Sequence, residues 1–66
     1  MYSRDIRVLR KHVEKLGLDQ APAINRQDLA SLVMSLNSAG EQGLAALIKP
    51  LSENELQDLI VNTIYG

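Results

Sequence analysis

The chain has no cysteine, tryptophan or phenylalanine, and only one histidine, two tyrosines and two prolines in 66 residues. Without cysteine there is no disulfide and no thiolate metal site, and a single histidine cannot build a histidine-rich one. Two usual staples of very small proteins are excluded, so helix packing or association must supply the stability. Without tryptophan or phenylalanine, an amphipathic segment lacks the large anchors that hold a helix at a membrane surface. Apolar runs extend only a few residues, too short for a membrane span. Met1 to Lys11 is charged throughout, unlike a signal peptide. The expectations are a cytoplasmic protein that uses no membrane, metal or cofactor, with residues 1–66 forming one helical domain.

Net charge is −1, but its distribution is uneven. Arg4, Arg7, Arg10, Lys11 and Lys15 are five of the seven basic residues, whereas residues 41–66 carry Glu41, Glu53, Glu55 and Asp58 against Lys49. Such a separation suits either internal complementarity or the steering of a partner.

Periodicity is helical throughout, and strand-type alternation is absent. The most completely specified segment is Ile24 to Leu36. Asn25 is a preferred N-cap, Asp28 follows at the N3 position, and Ile24 and Leu29 occupy the two positions of a hydrophobic staple. Leu29, Leu32, Val33 and Leu36 then form a stripe that Ala30 and Met34 widen to roughly 200° of arc. A helix with so wide an apolar arc needs neighbours on more than one side and belongs at the centre of a bundle.

Before it, Tyr2, Ile6, Leu9, Val13 and Leu16 form a stripe from a Ser3 cap to Gly17, which suits a left-handed C-terminal turn with Leu18 set against Val13. Leu18 to Ala23 shows no period and reads as a loop. After the central helix, Ser38 and Glu41 have the spacing of a capping box and predict a third helix that Pro50 ends, with Lys49 pushed toward extended geometry. Ser52 and Glu55 repeat that spacing, with Leu51 and Leu56 as the staple and Leu56, Leu59, Ile60, Thr63 and Ile64 as the stripe. The predicted architecture is an all-α, compact bundle of four short helices, near Arg4 to Leu16, Arg26 to Asn37, Ala39 to Ile48 and Glu53 to Tyr65, with the second helix central.

No pattern of residues points to catalysis. A nucleophile needs a base within hydrogen-bond reach and a partner to orient that base. The sole histidine, His12, falls at the border of the first helix's apolar stripe, with Asp5 two turns away. Glu53 and Glu55 are explained by capping and by the helix dipole. Gly40-x-x-Gly43 lacks the lysine and the preceding strand of a phosphate loop. A non-catalytic role is expected.

Two binding readings follow. Arg4, Arg7, Lys11 and Lys15 lie within about 80° of arc opposite the first helix's apolar stripe, an arrangement able to follow a phosphate backbone. Against it, the chain is net acidic and no aromatic residue interleaves with these charges. The preferred reading is a small regulatory or protein-interaction domain that docks an apolar helical surface on a partner protein or on its own copy as a homodimer. Val61 and Tyr65 point roughly 140° to 180° from Leu56 in an ideal helix, and Met34 lies at the margin of its stripe. These three, joined by Ile64, are the expected interface, because tyrosine and methionine suit adaptable contact surfaces. The competing position for Tyr65 is against the first helix near Tyr2.

Overall fold

The structure is a computed structural model and describes residues 3–66. It is an all-α bundle of four helices, with no strand among the described residues: α1 (Ser3–Lys15), α2 (Arg26–Ser38), α3 (Gln42–Ile48) and α4 (Glu53–Leu59). A 3₁₀ turn (Leu18–Gln20) follows α1, and a π-helical turn (Ile60–Ile64) extends α4. The predicted contacts of Tyr2 fall outside the described residues, and Ser3, expected as the cap of a helix from Arg4, is itself a helical residue of α1.

Two helix starts form as their residue chemistry requires. Asn25 Oδ1 accepts from the Asp28 N–H at 2.8 Å, while Asp28 Oδ2 accepts from the Asn25 N–H at 3.1 Å. Ser52 Oγ accepts from the Glu55 N–H at 3.2 Å, and Glu55 Oε1 from the Ser52 N–H at 2.9 Å. Each reciprocal pair satisfies first-turn donors that have no partner within the helix. Asn25→Ala and Ser52→Ala are each expected to destabilise by about 1 kcal/mol. Unchanged thermal midpoints in both variants would show that the caps carry no stability.

The third helix starts differently from the sequence expectation. Ser38 remains inside α2, and the turn after it is a Schellman motif: the Glu41 N–H donates to Leu36 O at 2.8 Å and the Gly40 N–H to Asn37 O at 3.1 Å. Gly40 takes φ 78°, a conformation costly to residues with a Cβ. Glu41 is thereby committed to closing α2. It stands at the N-cap of α3 without a side-chain capping bond, so α3 begins at Gln42 and has seven residues. Its carboxylate instead receives a two-pronged contact from the Arg4 guanidinium, at 2.8 and 3.2 Å. Lys49 also departs from expectation, keeping helical dihedrals (φ −51°, ψ −42°) before Pro50. Its N–H still donates to Ala45 O at 2.9 Å, and the Leu51 N–H closes the turn onto Ile48 O at 3.0 Å. These bonds outweigh the steric preference against αR before proline.

The helices bury one apolar cluster that includes Leu9, Val13, Leu32, Leu36, Ile48 and Leu56. Contacts of α2 with α1, α3 and α4 make it the common wall, as its sequence implied. Its buried arc is narrower than expected, because Leu29, Leu32 and Leu36 are buried and Val33 partly so, while Ala30 and Met34 are exposed. On α1, Leu9 and Val13 are buried within their own bundle, Leu16 is exposed, and His12 turns inward.

At the C-terminus the Tyr65 N–H donates to Ile60 O at 3.1 Å, an i→i+5 bond. Residues four apart drift by about 40° per step around an ideal α-helix, and a wider turn reduces that drift. Leu56, Ile60 and Ile64 are therefore all buried, while Thr63, predicted in the stripe, is exposed.

Two carboxylates stand below their ordinary value of 4.5: Glu41 through its hydrogen bond from Arg4, and Glu55 through the Ser52 backbone N–H. A carboxyl group depressed on folding contributes stability that is present above its unfolded value and lost as pH falls through the folded value. Stability should decline from about pH 5 downward, and the decline should be shallower in a Glu41→Gln, Glu55→Gln double variant. Parallel acid-unfolding curves for the two proteins would contradict this assignment.

Candidate functional site

The four residues expected to form one interface occupy separate environments. Ile64 is only 7% exposed and belongs to the core. Tyr65 is 41% exposed and lies on α1, where its hydroxyl donates to Glu14 Oε2 at 3.1 Å and the Arg10 guanidinium sits 4.9 Å from its ring centroid. The C-terminal turn thus folds back onto α1, with contacts at Arg10 and Glu14. Burial, followed by the bond to Glu14, raises the Tyr65 phenol above its ordinary value. Val61 is exposed, but its neighbours in a shallow concavity are Asn54, Gln57, Asp58 and Asn62. That concavity is the larger in volume, yet all its walls come from α4 and its extension, and its lining is mainly polar.

Met34 has different surroundings. It is 68% exposed and borders a groove of about 290 Å³ between α2 and the end of α3, lined also by Arg26, Leu29, Ala30, Val33 and Lys49. A second depression of about 190 Å³ meets the first at Val33 and Lys49 and continues past Asn37, Gln42, Ala45 and Ala46. The reason for the groove is local. Because α3 is short and carries alanines at 45 and 46, it brings little side-chain volume to the flank of α2 bearing Val33 and Asn37, and it ends beside the flank bearing Ala30 and Met34, where Lys49 alone reaches the groove. The sequence signal was available in the small residues Ala30, Ala45 and Ala46, but reading them as a groove required knowing that these two flanks face each other.

The basic residues of α1 are also divided by the fold. Arg4 is bound to Glu41 and reaches Asp5 at 3.5 Å, and Arg10 lies 3.6 Å from Glu14. Hydrogen bonding to Glu41 raises the Arg4 pKa further. Of the four residues proposed for a phosphate backbone, Arg7, Lys11 and Lys15 remain exposed with no ion pair among the described residues, and Arg4 is engaged.

His12 is the one buried polar side chain among the described residues. It is 7% exposed, with Nδ1 2.8 Å from Ser35 Oγ on α2. This pair and the Arg4–Glu41 contact run in opposite chain order along α1 and the segment from α2 to Glu41, which sets α1 antiparallel to α2. A hydroxyl beside an imidazole has the composition of a nucleophile and base, but neither residue lines the groove or the two other main concavities. Among the described residues, no carboxylate is hydrogen-bonded to the imidazole. The pair satisfies two polar groups across the α1–α2 interface. Among the described residues, no three histidines or carboxylates come together as a metal site, and no helix is long and apolar enough to cross a membrane.

Comparison with known protein families, curated proteins and solved structures finds no match to this chain.

Proposed function

We propose that this chain is a small, non-catalytic regulatory domain of the cytoplasm that binds another protein by receiving an apolar helical segment in the groove between α2 and α3. The observation that carries this reading is Met34, a large flexible side chain left 68% exposed beside an apolar concavity that α2 lines together with Lys49, at the end of α3. Methionine adapts its shape to a partner at little cost, and helix-in-groove recognition needs such a floor of small and branched apolar residues. The reading moves the interaction surface from Val61 and Tyr65 to α2, because Tyr65 is already held by Glu14 and Arg10 and Val61 lies among polar side chains.

The test is chemical-shift mapping of the folded domain with neutral amphipathic helical peptides, repeated on Ala30→Trp. Ala30 is exposed, so the indole should fill the groove without disturbing the core. Shifts are expected at Ala30, Val33, Met34 and Lys49, and they should vanish in Ala30→Trp. Shifts centred on Val61 would relocate the site. Nucleic acid binding at low salt mapped to Arg7, Lys11 and Lys15 would replace the reading altogether.

A further inference from the structure

The groove differs in charge from the chain that carries it. The sequence has eight acidic residues and seven basic ones, yet both sections of the groove contain cations and no carboxylate. Lys49 borders both sections and has no ion-pair partner among the described residues. Arg26, at one end, has a single long contact to Glu53 at 3.7 Å and is otherwise open to solvent. Along α2 the lining extends from Arg26 to Asn37, a rise of about 16 Å at 1.5 Å per residue, or roughly three helical turns.

From this combination we infer that the occupant is an acidic amphipathic helix of a different protein, about three turns long. It sets apolar side chains spaced i, i+3 or i+4, and i+7 against Ala30, Val33 and Met34, and its flanking carboxylates face Lys49 and Arg26. This rests on the groove being the docking site. Charge on the rim selects among apolar helices by attraction and by repulsion of basic ones.

A second copy of the chain fits less well. Its acidic surface is α4, but the large apolar side chains there, Leu56, Ile60 and Ile64, are buried in its own core, which leaves Val61 as the only large exposed apolar contact on that helix and its extension. One such knob does not supply the three-anchor pattern of a groove-bound helix.

The experiment uses three designed helical peptides of about 14 residues that share one apolar face and carry glutamate, glutamine or lysine on the flanks. Each is titrated into the full chain by fluorescence anisotropy at low and moderate salt. The glutamate peptide is expected to bind about ten-fold more tightly than the glutamine peptide at low salt, with the advantage shrinking as salt screens it. Lys49→Glu should abolish that preference and turn it toward the lysine peptide. Lys49→Gln, with helicity checked by circular dichroism, should give an intermediate result.

Equal binding of all three peptides, or a preference unchanged by Lys49→Glu, would overturn the acidic partner while leaving the groove as a docking site. No binding of any peptide would overturn both. Concentration-dependent self-association abolished by Ala30→Trp would assign the groove to a second copy.

Discussion

Leu32→Ala is expected to lower the unfolding free energy by about 3 kcal/mol, within the range of about 2–5 kcal/mol typical of buried leucine truncation. Leu32 is fully buried on α2, the helix that contacts each of the other three. Truncation there removes apolar contacts and leaves a void whose walls belong to several helices, so collapse of any one of them closes it only partly. A 66-residue chain has a total stability of about 3–10 kcal/mol, which makes this loss a large share of the whole. Urea titration followed by circular dichroism measures it. Leu47→Ala is the companion, because Leu47 is exposed on α3 and its truncation should change stability by no more than about 0.5 kcal/mol. If the two variants lose similar amounts, α2 is not the common wall of the core.

The second large effect lies at the buried polar contact between α1 and α2. Removing the hydroxyl in Ser35→Ala leaves His12 Nδ1 without its partner in a place where water has little access, at an expected cost of about 1–3 kcal/mol. Replacing both groups with apolar ones removes the unmet polar atom as well as the bond. The double variant His12→Leu, Ser35→Ala should therefore be less destabilised than the sum of its single variants, with a coupling of about 1 kcal/mol or more. Additive losses would mean that the 2.8 Å contact contributes no net stability. The same pair sets the register of α1 on α2, so amide exchange in α1 should quicken in the Ser35→Ala single variant.

Helix type, the two reciprocal caps, the left-handed glycine after α1 and the central place of α2 were all written in the sequence. Each depends on groups within a few residues of one another, or on a repeat within one helix. Asn25 with Asp28 and Ser52 with Glu55 meet because the first turn of a helix brings a carboxylate at N3 within reach of the cap's own N–H. Ser38 and Glu41 have the same spacing and do not meet. Gly40 offered a stronger local solution, which spends the Glu41 N–H on ending α2 and leaves the Glu41 carboxylate to Arg4 of α1.

That last step is tertiary, and so are the features that bear most on function. His12 stands at the edge of its stripe by periodicity, and only Ser35 on another helix explains why it is inside. Tyr65 and Val61 diverge from the core in an ideal helix, but the π turn packed against α1 hands Tyr65 to Glu14 and Arg10. The second section of the groove exists because Val33 and Asn37 on one helix meet the small Ala45 and Ala46 on another. Periodicity within a helix identifies which of its sides is apolar, whereas the neighbour that covers that side, and any part left uncovered, depends on how the helices meet.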